Sequence, residues 1–264
     1  MLTRRVDQAS TEVLQTCSKY IEAAGRRFDE VRDGQEDSES GRKRRSVLEK
    51  LLERSGGNRD IPTVMAVDAM LAGIDTTGVS ATFLLYQLAA NPEKQELLYE
   101  EIRETVGAGE VTEAALRRMK YLRAASQESH RLLPVTNGAG RRTQRDLVLS
   151  NYNVPAGTCV IYWAFISSLS PSQYSQPERF LPERWIRGHE EHHQAHPFTH
   201  IPFGHGARSC IGRRFAELET NILVIKILQR YRLEYRGPPL GLTMAITNKP
   251  DRPLSINFRE RKWA

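Results

Sequence analysis

Cysteine is scarce in this sequence. Only Cys17, Cys159 and Cys210 occur among 264 residues. They lie far apart and none belongs to a Cys-x-x-Cys pair, which argues against a disulfide scaffold or a zinc ribbon and for a reducing compartment. Long apolar runs are also missing. No stretch of about 18 consecutive apolar residues is present, which argues against a transmembrane helix. Residues 1–7 lack the apolar core of a signal peptide, so no targeting segment is expected within this chain. No internal repeat is found. The basic surplus, a formal net charge of +6, comes without a zinc-finger, RNP or helix-turn-helix pattern, so nucleic acid is not the expected partner.

The basic residues cluster. Doublets stand at Arg4-Arg5, Arg26-Arg27, Arg117-Arg118, Arg141-Arg142 and Arg213-Arg214, with a run at Arg42-Lys43-Arg44-Arg45. Most such doublets are solvated faces. The functional alternative is steering of an anionic partner.

Hydrophobic patterning divides the chain. Residues 1–31 read as a helix with Val6, Val13, Leu14, Cys17, Ile21 and Ala24 as its apolar positions. Residues 32–45 are polar and charged and read as a loop. A short helix follows at 46–54, broken by Ser55-Gly56-Gly57-Asn58. The longest apolar segment, 61–90, starts by Pro62 and stops at Asn91-Pro92. It is apolar on nearly every face, which predicts burial. Asp68 and Asp75 within it argue against a membrane span. At roughly 40 Å long it needs more surrounding protein than this chain supplies.

Asn91 is expected to cap a helix at 92–106, stopped by Gly107. Residues 112–133 read as one helix ending before Pro134. Leu147-Val148-Leu149 and 158–163, set among Gly and Pro, read as strands. Residues 167–200 form an irregular meander. A last helix spans 211–230, with Ile211, Phe215, Leu218, Ile222, Ile225 and Leu228 on one face, and 232–258 alternates like strands. The expected class is mainly α with small β-sheets.

Three strings carry chemistry. In Phe203-Gly204-His205-Gly206-Ala207-Arg208-Ser209-Cys210-Ile211-Gly212, a cysteine follows a glycine-rich loop and precedes a helix. Glycines let the backbone fold beneath a flat ligand. A helix N-terminus favours thiolate over thiol. Arg208 can meet a carboxylate in a bidentate pair. Thiolate and guanidinium together suit a haem and its propionates. In Ala72-Gly73-Ile74-Asp75-Thr76-Thr77, a glycine costing ~1 kcal/mol in mid-helix demands a reason. A hydroxyl beside an acid can bond backward and open the turn, giving room for water and proton relay. Glu128 and Arg131 share a helix face three residues apart. Phe180-Leu181-Pro182-Glu183-Arg184-Trp185 follows downstream.

The three strings together resemble the cytochrome P-450 family, in its order. The first matches Phe-x-x-Gly-x-x-x-Cys-x-Gly at every fixed position, the second matches Ala/Gly-Gly-x-Asp/Glu-Thr, and the third is the family's Glu-x-x-Arg. The resemblance spans roughly 60–258 and implies the C-terminal half of that fold, with 1–59 as N-terminal helices and a charged loop and 60–264 as the haem-binding core. It implies haem b (iron protoporphyrin IX) with Cys210 as axial thiolate ligand, Arg208 on a propionate, Phe203 near the sulfur, and Gly204 and Gly212 shaping the loop. Ala72 and Gly73 would leave room over the haem. Thr76 would hydrogen-bond the O2 being activated and Asp75 would help deliver protons. Glu128, Arg131 and Arg184 would form a buried structural network. Arg184 is preferred to Arg179 because Trp185 follows it at the family's aromatic position.

Within the family, Gly212-Arg213-Arg214-Phe215-Ala216-Glu217-Leu218-Glu219 resembles the animal mitochondrial group. That implies a haem-thiolate monooxygenase at the matrix side of the inner membrane, taking electrons from an acidic ferredoxin docked by Arg123, Arg213 and Arg214 and acting on a hydrophobic small molecule. Gln127 stands where a second basic docking residue is expected. A flavoprotein reductase at the endoplasmic reticulum is the alternative. Against the family's length the chain is expected to be N-terminally truncated, with peripheral membrane association belonging to a full-length parent. Segments 132–140 and 244–247 fall where the family lines its pocket, and Arg141 or Arg142 is a candidate for a propionate. The rival functions are a haem-thiolate isomerase needing no electrons, a non-catalytic remnant, and a basic or zinc-binding module built on His189, His192, His193 and His196.

Overall fold

The structure, a computed structural model, describes residues 2–32, 45–192 and 194–261. Nearly all of the charged loop expected at 32–45, including Arg42, Lys43 and Arg44, lies outside the described residues. So do His193 and the side chains of Arg4, Arg5 and Val6. The chain divides into two units, residues 1–75 and 76–264.

In the first unit, α1 (Leu2–Arg32) turns Cys17, Ile21 and Ala24 inward, a spacing of four and three that keeps them on one face. Cys17 Sγ meets Met70 Sδ at 3.3 Å. The helix α2 (Val47–Arg54) packs on α1. Its start is fixed by a capping box: Glu49 N donates to Ser46 Oγ at 3.2 Å, and Ser46 N donates to Glu49 Oε2 at 2.7 Å.

The long helix α3 (Asp60–Ala90) begins in this unit and is long and apolar enough to cross a membrane by length and composition. The sequence predicts burial along its whole length, and only its second half obeys. Phe83, Leu84, Leu88 and Ala89 are sealed in the core of the second unit. Ile61, Val64, Leu71 and Ile74 are each more than half exposed. A helix apolar on every face needs neighbours on every side. Among the described residues of the first unit only α1 and α2 accompany it.

The second unit is built on α4 (Pro92–Thr105), α5 (Glu113–Arg118), α6 (Lys120–Leu132) and α8 (Arg213–Arg230), with a short α7 (Ala164–Ser168) between them. Leu88, Leu98, Ile102, Met119, Leu122 and Ile225 meet in its core, each 0–1% exposed. Burying one such side chain stabilises by about 1.5–3 kcal/mol.

Two expectations change here. The single helix expected at 112–133 is two, broken at Met119, whose ψ of 90° leaves the helical region. The break buries the Met119 side chain, and Glu101 of α4 then caps α6: Tyr121 N and Leu122 N donate to its carboxylate oxygens at 2.7 and 2.9 Å. Asn91 does not cap α4. Its Nδ2 donates back to Gln87 O at 2.8 Å, satisfying a carbonyl at the end of α3.

Among the described residues, four two-stranded antiparallel sheets complete the unit. They pair β1 (Ala139–Arg142) with β4 (Cys159–Tyr162), β2 (Leu147–Leu149) with β3 (Tyr152–Val154), β5 (Tyr231–Glu234) with β8 (Asn257–Glu260), and β6 (Leu242–Thr243) with β7 (Lys249–Pro250). Ser150 and Asn151, both at positive φ, close the β2–β3 hairpin tightly. The face expected on α8 is buried only at its C-terminal end. Ile225 and Leu228 are sealed, while Ile211 ahead of the helix and Phe215 and Leu218 within it are exposed. The architecture is mainly α with small β-sheets, as the patterning predicts.

Candidate functional site

The loop from Ile201 to Gly212 is tied by its own backbone. Gly204 N donates to Ile201 O at 2.9 Å, Ser209 N to Gly206 O at 3.0 Å, and Cys210 N to Phe203 O at 2.8 Å. Gly204 and Gly206 hold φ of +71° and +76°, which side-chain-bearing residues rarely adopt. The loop is thereby held by local turns, and Cys210 stands as a free, exposed thiol three residues ahead of α8.

A cavity of about 360 Å³ lies against this loop. Cys210, Arg208, Gly204 and Phe203 form one side and Thr76 of α3 another. Five residues of the two sequence motifs thus share one cavity. Gly212 sits behind the sulfur, where an added Cβ would be 3.9 Å from Cys210 Sγ. Ala72, Gly73 and Asp75 belong to the turn of α3 preceding Thr76, across the division between the units. An added Cβ at Gly73 meets nothing within 4 Å, so no described neighbour demands glycine there. The opened turn expected at Ala72–Thr77 is absent: α3 runs as unbroken α-helix. One glycine at a cost of ~1 kcal/mol is too little to interrupt a ladder this long.

Glu128 gathers five hydrogen bonds from four residues. Its Oε1 accepts from Arg131 Nη2 at 2.8 Å, Arg184 Nε at 2.9 Å and Leu181 N at 3.0 Å, and its Oε2 from Arg131 Nε at 2.9 Å and Trp185 Nε1 at 2.8 Å. Arg131 spends its remaining hydrogens on Ser168 O, Pro177 O and Arg179 O. Arg184 reaches Ser175 O and Gln176 O. Residue Arg179, the decoy of the sequence pattern, contributes only its carbonyl. All three charged side chains are within 1% of full burial. Ion pairs this deep survive because nearly every hydrogen-bonding group finds a partner.

The cavity also holds residues the motifs do not mark. Ser80 Oγ and His130 Nε2 are 2.8 Å apart, and the His130 ring meets Phe203 edge-on at 5.4 Å. Burial pushes the His130 imidazole down to about 4, and Arg213 adds to this. Burial first, and His130 second, push His200 down to about 3. Its Nε2 is buried without a hydrogen-bond partner among the described residues. Both histidines are therefore neutral near pH 7. Of the Arg141-Arg142 doublet, only Arg141 lines the cavity, while Arg142 donates to Gly157 O at 2.9 Å. Nothing in the local sequence separates the two. The alternation of β1 does so once its pairing is known.

Arg123, Arg213 and Arg214 are exposed. Arg213 is partly engaged, pairing with Glu217 at 2.8 Å and lying 5.4 Å over the Phe203 ring. His189, His192 and His196 form no metal-ligating group of three among the described residues, and His193 lies outside them.

Comparison with known proteins identifies the family. The family model described as cytochrome P-450 matches residues 2–253. The chain is 40% identical to cytochrome P-450 302a1, mitochondrial, of Drosophila melanogaster over 203 residues, 75% of this chain and 41% of that protein. It is 34% identical to cytochrome P-450 CYP12A2 of Musca domestica over 94% of this chain and 48% of that protein. It is 36% identical to cytochrome P-450 10 of Lymnaea stagnalis over 76% of this chain and 37% of that protein. The chain spans about half or less of the length of the curated relatives it matches. The similarity is to the mitochondrial group, whose designation several relatives carry in their names. With a family model matching residues 2–253 and relatives of 34–40% identity over three quarters or more of its length, the chain belongs to the cytochrome P-450 family.

Proposed function

We propose that this chain is the haem-binding half of a haem-thiolate monooxygenase that inserts one oxygen atom from O2 into a hydrophobic substrate. The observation that carries the reading is the cavity that brings the Cys210 thiol, the Thr76 hydroxyl and the guanidinium-bearing Arg208 and Arg141 to one space. The family implies a haem held by a cysteine thiolate, and the residues present fit it. A single soft sulfur suits a macrocycle that brings its own four nitrogens, and two arginines suit two propionates. The haem iron, when bound, supplies the oxygen chemistry, and the protein positions and tunes it.

Each residue then has a task. Cys210 would hold the iron, and Arg208 and Arg141 would neutralise the propionates. Phe203 would pack near the sulfur, its ring held between His130 and Arg213. Ala72 and Gly73 keep the face of α3 thin. Thr76 and Asp75 hold and pass protons. Glu128, Arg131 and Arg184 keep the α6 side of the core rigid. Pro134, Val135, Ala139 and Ile201 give the cavity an apolar wall, which favours hydrophobic substrates. Arg123, Arg213 and Arg214 would dock an acidic ferredoxin, and the mitochondrial relatives support a mitochondrial location with that donor. The exposure of Ile61, Val64, Leu71 and Ile74 favours a second reading, in which the chain alone binds haem without turnover.

The test is to express the chain, add haemin, reduce it and record the carbon monoxide difference spectrum. Thiolate ligation gives a strongly red-shifted Soret band that Cys210→Ala abolishes. A band unchanged by that substitution refutes the assignment. Turnover with an acidic ferredoxin and its reductase, against turnover with a flavoprotein reductase, decides the electron donor.

A further inference from the structure

One wall of the cavity is pinned from near the far end of the chain. Asn248, just ahead of β7, is 0% exposed. Its Nδ2 donates to Pro134 O and to Asn137 Oδ1, each at 2.8 Å. Its Oδ1 accepts from Asn137 Nδ2 at 3.0 Å, and its backbone N–H donates to Val135 O at 2.8 Å. Both donors and the acceptor of this amide are thus used on one short segment. A buried amide costs stability unless its bonds are made, so the arrangement tolerates little displacement.

That segment is the cavity wall. Pro134, Val135, Thr136, Gly138 and Ala139 line the cavity, and Asn137, the residue between them that does not, turns its side chain to Asn248 instead. Asn137 O accepts from Phe165 N at 3.1 Å. Gly138 lies so close to the Tyr162 carbonyl that a Cβ would not fit. Asn248 is the last residue of the loop between β6 and β7, in which Met244 and Ile246 are 55% and 96% exposed.

We propose that Asn137 and Asn248 are a positioning pair that sets the shape selectivity of the cavity, holding the 134–139 wall in register and tying it to the 244–246 loop. Neither amide lines the cavity, so the pair acts through the wall. The inference rests on the cavity being the haem and substrate site.

Two measurements test it. Hydrogen exchange on the chain without haem reads the pin directly. Asn248→Ala keeps the backbone N–H but removes the amide, and exchange at the Phe165 and position-248 amides should rise ~10-fold while β5 and β8 stay unchanged. Unchanged exchange at both amides overturns the pin. Asn137→Ala, which leaves Asn248 its bond to Pro134, should give a smaller rise at the same amides and serves if Asn248→Ala does not fold. On the haem-loaded chain, spectral titrations with imidazole and with phenylimidazole read selectivity. Imidazole needs only the iron, whereas phenylimidazole presses on the wall. The ratio of their affinities should change several-fold in Asn248→Ala, with the red-shifted Soret band retained. A constant ratio overturns the selectivity role, because a purely structural defect weakens both alike. Absence of the Soret band in the unsubstituted chain strikes the haem-thiolate reading instead, and the exchange measurement still decides the pin.

Discussion

Arg184 places its Nε 2.9 Å from Glu128 Oε1, with the two side chains at 1% and 0% exposure. The same oxygen takes Arg131 Nη2, so one carboxylate balances two buried guanidiniums. Glu128→Gln keeps the shape and removes the charge, leaving both cations uncompensated. Breaking a buried pair in this way costs ~3–5 kcal/mol. An exposed pair such as Arg117–Glu113, at 76% and 80% exposure, contributes at most about 1 kcal/mol. Urea midpoints of Glu128→Gln and Arg117→Ala should therefore separate widely. Similar midpoints would falsify the network as a stabilising element.

Glu101 reaches from α4 to the first amides of α6, accepting from Tyr121 N and Leu122 N at 2.7 and 2.9 Å. Losing a cap of this kind costs ~1 kcal/mol. Glu101→Ala should lower the urea midpoint accordingly and speed amide exchange at Tyr121 and Leu122, with α8 unaffected. Slow exchange retained at both amides means another group caps the helix.

This cap also shows where the sequence stops being legible. Gly107 and Pro134 end helices through their own backbone chemistry, so those stops can be read locally. The break at Met119 cannot, because what stabilises it comes from Glu101, on α4 and twenty residues upstream of Tyr121. Asn91 misleads for a different, local reason: its amide turns back to Gln87 O, four residues earlier, instead of capping the helix that follows. Among site residues, Phe203, Arg208 and Cys210 are readable because their spacing along one loop is itself the signal. His130 is not, since Ser80 and Phe203 come from distant segments. Nor is the exposure of Ile61 and Ile74, because composition says that a helix is apolar and not what stands beside it.

Gly138 has no room for a side chain. An added Cβ would run into the carbonyl oxygen of Tyr162, which is backbone and does not swing away as a flexible side chain would. Gly138→Ala must push β1 off β4 and disturb the pairing of Ala139 with Tyr162. Forcing volume into such a contact costs ~1–3 kcal/mol. The variant should show a lowered melting temperature and faster exchange at the β1 amides. Gly157→Ala serves as the contrast, since nothing lies within 4 Å of its added Cβ and only its φ of +84° resists. If Gly138→Ala leaves the β1 amides as protected as before, the close approach to Tyr162 is not a real constraint.

His130 makes stability depend on pH. Burial, helped by Arg213, lowers its folded-state value from 6.5 to about 4. The unfolded chain therefore takes up a proton that the folded chain refuses. The stability from this group is fully present above pH 6.5 and is lost progressively as pH falls toward 4. Over that interval the loss amounts to ~3 kcal/mol. His200, lowered to about 3 by burial and then by His130, acts in the same direction. In His130→Leu the titrating group is gone, and the fall in urea midpoint between about pH 6.5 and pH 5 should be shallower than in the unsubstituted chain. The variant carries a separate, pH-independent loss of ~1 kcal/mol, because Ser80 Oγ, 2.8 Å from the ring, loses its partner. The two effects separate cleanly, one as an offset and one as a slope. Equal slopes with and without His130 would mean that the imidazole is protonated, or solvated, in the folded chain.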